Sequence, residues 1–547
     1  MKAYIKAGNT SSKIGTYIKA KSSFDPDAQA FITAASLTDN TQKNAINTLV
    51  VNCKAAGIWI KMQAIFPFVG GTASSHKWNL KNPLDTNAAF RLVFSGGWTH
   101  SSTGATPNGT NAYANTFLNS ATHLSLNSGH MSYYSRTNNS AASLRIDMGS
   151  LKSGPDSYTD LDLGNSGSWY FRFNNSAAYN FVSATDTSGF FNGNRTASNV
   201  INIFRNGTKV VTGAAPSNAT SSTNYFIGAS NNHGGGSTDT PQYFSNRECA
   251  FASIGDGLTD TEALVFNQIV EGYQYALGRN VNPFNPNYYN TAYNNETNAF
   301  LYASQITDNT QKSAVNTFVN DLKTAGIWTK MKAVYPLVGG TASTHKWNLV
   351  NPQDTNAAYR LSFIGGWTHS SAGALPNGTN GYADTFLNAN TILQQFSHHH
   401  AFYHNTDNSG TGLRSMGGAQ SSSSFNFRTT IETSGATLTF RDLSITNTES
   451  PVTASSLKGF RASSRTANNN MFIVKADGTS TTPTTTTTSN SLPALNCYLA
   501  AHNNAAAAAN YASMSIAFHS LGDGLSAAEG LSLRNAVVTF NTTLGRL

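Results

Sequence analysis

The sequence predicts a mainly β protein built from two tandem sandwich domains, and three observations carry that reading. First, the chain repeats itself: Gly57–Ser102 returns as Gly326–Ser371 at a constant offset of 269 positions without a gap. A period that long is a duplicated domain, since solenoid repeats recur every ~20–50 residues. Second, charged residues make up only 11% of the chain, against ~25% in an ordinary soluble domain, while Asn, Ser, Thr and Gly are abundant. Third, clusters of Ser, Asn, Gly and Pro recur at short intervals from residue 95 to Cys249, the punctuation of short antiparallel strands.

The elements follow in chain order. Residues 1–30 contain Tyr-Ile-Lys-Ala twice, at Tyr4 and Tyr17, around an Asn-Thr-Ser-Ser turn. That pattern predicts a hairpin, which needs a partner because a lone two-stranded hairpin is marginal in water. It is either an extra strand pair on the first domain or an anchor that completes a sheet on another subunit. The first domain is assigned to 31–280, an Asn- and Pro-rich connection to 281–298, and the second domain to 299–547.

Each copy opens on a helix. Ile46, Leu49, Val50 and Cys53 stand at i, i+3, i+4 and i+7 and are matched by Val315, Phe318, Val319 and Leu322. Thr38-Asp39 supplies an N-cap, and Gly57 and Gly326 are C′ residues. Strands are expected over Lys61–Val69 and Ala88–Phe94. A hairpin is expected at Asn199–Val211 around Asn206-Gly207, with Asp477-Gly478 in the same role in the second copy. Both hairpins follow an Arg-Thr-Ala triplet, at Arg195 and Arg465. Each copy closes on a helix whose apolar stripe is Phe266, Val270, Tyr273 and Leu277, or Leu533, Val537, Phe540 and Leu544. The Thr tract 479–488 belongs to the second copy alone.

Composition limits the function classes. The net charge is +8, but the 35 Lys and Arg form no run of five or six, so nucleic acid is not an expected partner. No stretch of ~18 apolar residues is present and the N-terminus lacks an apolar signal core, so neither membrane insertion nor export is expected. Cys53, Cys249 and Cys497 have no metal-like spacing, and Cys53 aligns with Leu322, which marks it as a core residue made in a reducing compartment.

At the closing unit the chain resembles the laminin-G, or concanavalin-like, jelly-roll family. The residues that carry the resemblance are Phe204-Arg-Asn-Gly-Thr208, Phe226-Ile-Gly-Ala229, Ala250–Gly255 and Leu258-Thr-Asp-Thr-Glu262. The N-terminal hairpin, the FDPDAQAFITAASLTDNTQ stretch and VGGTASSHKWNL also resemble virion proteins of tailed phages, particularly those infecting Bacteroidetes-type bacteria. The first resemblance implies two jelly-roll sandwiches. The second implies a tail or head fibre subunit made in the host cytoplasm, joined to other virion proteins through its N-terminal segment and oligomeric, with a trimer as the family expectation.

Candidate sites divide by chemistry. Hydrolysis by glucanases of this fold needs a carboxylate pair on one strand face, and the chain has only seven Glu and no such motif, so no catalytic residues are assigned. Asp160 and Asp162 share a face, and together with Asp156 they could offer oxygen ligands to Ca²⁺. His76, His100, His345 and His369 recur at matched positions but are two to a copy, which is thin for a metal site, and no metal is assigned. Sugar binding remains. Aromatic faces meet pyranose C–H surfaces and amides meet hydroxyls, which selects Trp98, Tyr113 and Asn108 with their copies Trp367, Tyr382 and Asn377. The competing reading explains the identity between copies by core Trp and turn Gly. The expected partner is host-surface polysaccharide. The alternatives are a capsid- or tail-decorating protein without a ligand and a secreted lectin or glycosidase.

Overall fold

The duplicated stretch folds twice into one strand order. A computed structural model describes residues 24–140, 143–152, 157–176, 180–233, 239–282, 289–406, 412–422, 425–434, 437–443, 452–454, 458–468, 470–482 and 491–547. The chain divides into two compact units, one of 1–259 with 269–284 and one of 260–268 with 285–547. The hairpin expected within 1–30 lies in residues 1–23, outside the described residues, as does most of the Thr tract.

In the first unit a front sheet runs Thr208–Gly213, Val200–Arg205, Gly189–Ala197, Gly129–Ser135, Cys249–Gly255, Gly104–Pro107 and Trp98–Ser101, and Met62–Phe66 also pairs with Cys249–Gly255. The back sheet runs Asn180–Ser183, Ser168–Asn175, Ser157–Asn165, Met148–Lys152, Phe226–Ile227, Tyr113–Asn115 and Val93–Ser95. The second unit repeats both orders, with His398–His404 between Gly459–Ala467 and Ile516–Gly522 at the centre of its front sheet. Each unit is therefore a mainly β jelly-roll sandwich with helices at its start and end.

Alternation explains the layers. Leu161, Leu163, Phe171 and Phe173 of the back sheet meet Met131, Tyr133, Ile201 and Ile203 of the front sheet in one buried cluster. Phe171 fills the space over Gly193, where a Cβ would come within 2.3 Å of its ring, so any larger residue at 193 would force the sheets apart. On its outer face the front sheet is covered by helices. Asn40–Ala55 buries Ile46, Leu49, Val50 and Cys53, all at most 1% exposed. In the second unit Phe318 of helix Asn309–Thr324 sits 5.4 Å from both Phe518 of the sheet and Phe540 of the closing helix. Asp39 and Asp308 cap these helices by accepting from Gln42 N and Gln311 N, and Gly57 and Gly326 end them at φ 70°. The three cysteines are buried and unbridged.

Three elements differ from expectation. The strand expected over Lys61–Val69 covers only Met62–Phe66, because Lys61 belongs to a 3₁₀ turn and Phe68 takes φ 49°. The run Ala88–Phe94 is a strand only from Val93; before it, Asn87–Ala89 is a 3₁₀ turn and Phe90 takes φ 59°. The cause is Asn79, whose side chain accepts from Ile65 N (3.0 Å) and donates to the Ala89 carbonyl (3.0 Å), taking up the group that a sheet ladder would use. Helix Pro26–Ala34 crosses the boundary placed at residue 30, and its counterpart Asn295–Ser304 begins inside the stretch read as a connection. Their entries match: Asn47 Oδ1 accepts from Asp25 N, and Asn316 Oδ1 from Asn294 N. The repeat thus begins before its sequence identity becomes legible.

The two back sheets fill the same space with opposite chemistry. In the first unit Asp147 and Arg247, both fully buried, form an ion pair at 2.9 Å. The strand register puts Met416 and Met514 in those places in the second unit, also buried. A buried pair is close to neutral against apolar residues of similar volume, whereas one charge left alone is costly. Scanning calorimetry of Asp147→Met or Arg247→Met alone is expected to show a loss of about 3–5 kcal/mol, and Asp147→Met with Arg247→Met to recover most of it.

Candidate functional site

The residues selected for sugar contact converge in each unit on one loop. Trp98 Nε1–H donates to the Tyr113 carbonyl at 3.1 Å, and Asn108 N–H donates to the Gly97 carbonyl at 3.0 Å, so Trp98, Asn108 and Tyr113 form one cluster. Trp367 Nε1–H donates to the Tyr382 carbonyl at the same 3.1 Å in the second unit. Both Trp and both Tyr are half-buried, and one face of each aromatic pair is braced from within. Phe94 meets the Trp98 ring edge-on at 5.3 Å and Phe363 meets Trp367 at 5.1 Å. Tyr113 stacks on Phe226 at 4.6 Å, and Tyr382 lies 4.7 Å from Tyr498.

Asn108 and Asn377 serve the loop itself. Asn108 Oδ1 accepts from the backbone N–H groups of Thr110, Asn111 and Ala112 at 3.0–3.2 Å, and its Nδ2 donates to Asn111 Oδ1 at 2.8 Å. Asn377 repeats every one of these bonds with Thr379, Asn380 and Gly381. The amide oxygens read as hydroxyl ligands are thus committed to a turn, as Asx chemistry favours. Asn111 and Asn380, which the sequence reading passed over, tie this turn to the Trp strand by accepting from Gly97 N and Gly366 N. Their signal was present in the repeated Asn-Gly-Thr-Asn. Arg145 and Asn246 border the first loop beside Gly109, where Ser513 borders the second beside Gly378. The rims therefore differ while the loops do not.

Behind each loop lies a histidine pair. His76 Nδ1 and His100 Nδ1 are 2.9 Å apart, and His76 Nε2 accepts from Gly71 N at 3.2 Å. An accepting Nε2 leaves the His76 proton on Nδ1, where it is donated to His100, so both rings are neutral. Burial, with His100 and Arg279 nearby, pushes His76 down to about 3. His345, His369 and Gly340 repeat the arrangement, with His345 also held at about 3, chiefly by burial. Phe94 and Phe363 pack on His100 and His369 at 4.7 and 4.6 Å. The pairs thus support the aromatic loop, and no third His, Cys, Asp or Glu joins them as a metal ligand among the described residues.

The aspartates are committed elsewhere. Arg172 Nε and Nη2 bind the two oxygens of Asp160 at 2.7 and 2.5 Å. Asp162 is fully buried, and that burial, together with the charge of Asp147, raises its carboxyl well above the usual range. A carboxylate already paired to Arg and a fully buried carboxyl whose charge is disfavoured do not fit a Ca²⁺ shell, which is built from ionised and accessible oxygens. Asp156 lies outside the described residues.

No family model matches the chain, and no curated protein does. Among solved structures it is similar to the sialidase of Trypanosoma rangeli in complex with sialic acid, at 9% identity and TM-score 0.25 over 37% of this chain and 32% of that one. Domain 4 of AbnA, a GH43 extracellular arabinanase from Geobacillus stearothermophilus, in complex with arabinotriose, aligns at 12% identity and TM-score 0.23 over 38% and 98%. The receptor binding domain of botulinum neurotoxin mosaic serotype C/D aligns at 8% identity and TM-score 0.26 over 39% and 51%. The chain spans about a third of the length of the sialidase. Its own strand order defines the class of protein: two jelly-roll sandwiches in tandem, each carrying one copy of a braced aromatic loop.

Truncating Asn108 to Ala frees three backbone N–H groups and one amide partner. Asn108→Ala is expected to destabilise the first unit by about 1–3 kcal/mol and to red-shift Trp98 emission as the loop loosens. Asn377→Ala is expected to do the same to the second, as read by calorimetry and fluorescence.

Proposed function

We propose that the chain is a non-enzymatic subunit of a tailed-phage particle, a tail or head fibre or other appendage, that touches host-surface glycans through the Trp98–Tyr113 loop and its Trp367–Tyr382 counterpart. The observation that carries this reading is the duplication of the loop. Two half-exposed Trp–Tyr pairs are held by the same internal bonds, although much of the surrounding interior has changed. Aromatic faces suit the C–H face of a sugar ring, and two weak sites on one chain gain from avidity as subunits assemble. The pairing of Asp160 with Arg172 and the full burial of Asp162 leave neither carboxyl open to a substrate, which supports a role without hydrolysis.

A second reading, a decorating protein without a ligand, is favoured by the internal use of Asn108 and Asn377. The two readings part on binding. Full-length protein applied to host cells and to purified surface polysaccharide is expected to bind, and Trp98→Ala with Trp367→Ala, in a variant shown to be folded by circular dichroism, to weaken binding at least ~tenfold. Equal binding by the variant would leave the decorating role. Attachment to the particle is tested separately: removing residues 1–23 is expected to leave both units folded and to abolish incorporation into particles. Normal incorporation of the shortened chain would overturn the N-terminal anchor.

A further inference from the structure

Strand register aligns the two front sheets residue by residue. Gly129 pairs with Arg195 as His398 pairs with Arg465, Met131 with Ile254 as His400 with Leu521, and Ser135 with Gly189 as His404 with Gly459. Ala252 faces Tyr133 as His519 faces Phe402. In the back sheets, Ser230 and His502 occupy equivalent places beside the strands Met148–Lys152 and Gly412–Ser422. Gly, Met, Ser, Ala and Ser in the first unit are thus His398, His400, His404, His519 and His502 in the second, each at most 1% exposed. His399 is shared, since His130 stands in its place and makes the same Nδ1 bond to a carbonyl.

The surroundings of these rings accept only the neutral form. His400 Nε2 and His519 Nε2 are 2.7 Å apart, so one proton satisfies both and a second would set two N–H groups against each other. Thr429 Oγ1 is bonded to the other nitrogen of His400, and Tyr335 stacks on His519 at 5.7 Å. Among the described residues both ring nitrogens of His404 and Nε2 of His398 have no hydrogen-bond partner, and Phe402 and Phe427 pack on the two rings. His502 Nε2 faces the Arg428 guanidinium at 3.1 Å. The charged groups turned toward the set are Arg465 on His398, Arg461 on His404, Arg428 on His502, and Lys330 with Asp523 on His399. Asp523 is the one carboxylate among these, and it is paired with Lys332 at 2.9 Å.

We propose that the second unit is an acid-opened module, in which mild acidification unfolds the histidine-filled sandwich while the first unit stays closed. Burial holds His398 and His502 at about 4 and His404 and His519 at about 3. Their unfolded value is near 6.5, so stability is full above that pH and is lost as the pH falls toward the folded values. At about pH 5 each ring that must stay neutral in the fold weakens folding by roughly tenfold or more, and several such rings together are set against folding constants of ~10³–10⁸ for a domain. Both units carry the acid cost of a buried histidine pair, His76–His100 in the first and His345–His369 in the second, but the first also holds a group of opposite sign. Burial raises Glu271 to about 7, and the second unit has Val538 in its place. A carboxyl raised on folding adds stability that is present in acid and lost as the pH rises.

Hydrogen exchange of the full chain, read by mass spectrometry at about pH 7 and about pH 5 and corrected for intrinsic exchange, tests this. Peptides over 398–404 and 516–522 are expected to lose protection at least ~100-fold more than those over 129–135 and 249–255. Equal loss in both units, or earlier loss in the first, would overturn the proposal. His400→Met with His519→Ala, the residues of the first unit, is expected to lower the acid midpoint of the second unit by at least ~0.5 pH unit. His404→Ser is an independent variant should that pair repack badly, and an unmoved midpoint in a folded variant would also overturn the proposal.

Discussion

Each sandwich is closed by a buried arginine that bonds backbone carbonyls. Arg279 directs Nη1 to Phe68 O (2.7 Å) and Nη2 to Pro67 O and Ala250 O (both 2.8 Å), and its Nε–H donates to Gln274 Oε1 (2.6 Å). Arg546 does the same in the second unit with Pro336, Leu337, Ser371 and Ala517. The arginine reaches this point because the closing helix ends on a glycine at φ 65° or 66°, which turns the chain back over the sheet. The carbonyls are available because Phe68 and Leu337 take φ 49° and 46°, ending the strands before them. Burial brings Arg546 down to about 10, so it stays charged at neutral pH and its N–H groups need full satisfaction. One side chain thereby joins the end of the last helix, the first strand and the last strand of the domain.

That clasp also positions the candidate site. The Pro-Phe-Val-Gly-Gly and Pro-Leu-Val-Gly-Gly loops that supply its carbonyls run directly into Gly71 and Gly340, whose N–H groups set the tautomer of His76 and His345. Those histidines reach His100 and His369, which stack beside Trp98 and Trp367 at 6.2 and 6.0 Å. A continuous run of polar contacts therefore leads from the helix end to the aromatic loop. Identity between copies runs along this chain of contacts, whose hydrogen bonds at Gly71, His76 and His100 are repeated at Gly340, His345 and His369. Replacing one would leave buried polar groups unpaired.

Away from that run the interior was free to change. An ion pair in one unit is two methionines in the other, and Met131 and Ala252 in one are a hydrogen-bonded histidine pair in the other. Both fillings are buried under the same strand register, so the backbone does not distinguish them at neutral pH. They differ in their response to protons, and the duplication thus leaves two like folds with unlike conditions of stability.

The duplication, the helix faces at Ile46–Cys53 and Val315–Leu322, the cap at Asp39, and the Asn206-Gly207 hairpin were legible because each depends on residues near in sequence. Periodicity and turn chemistry are local properties. The clustering of Trp98, Asn108 and Tyr113 was readable as well, since a Gly-Gly-Trp strand and an Asn-Gly-Thr-Asn turn lie within one repeated stretch. Only the tertiary structure could decide what those side chains do. Asn108 turns inward because three N–H groups of its own loop reach it first, and Asp160 is spent on Arg172 across a strand pair. Arg279 stands past a helix end, and its burial depends on carbonyls about 30 and 210 residues away in the chain. Long-range partners of polar groups are set by which strands the fold brings together, and no local pattern encodes them.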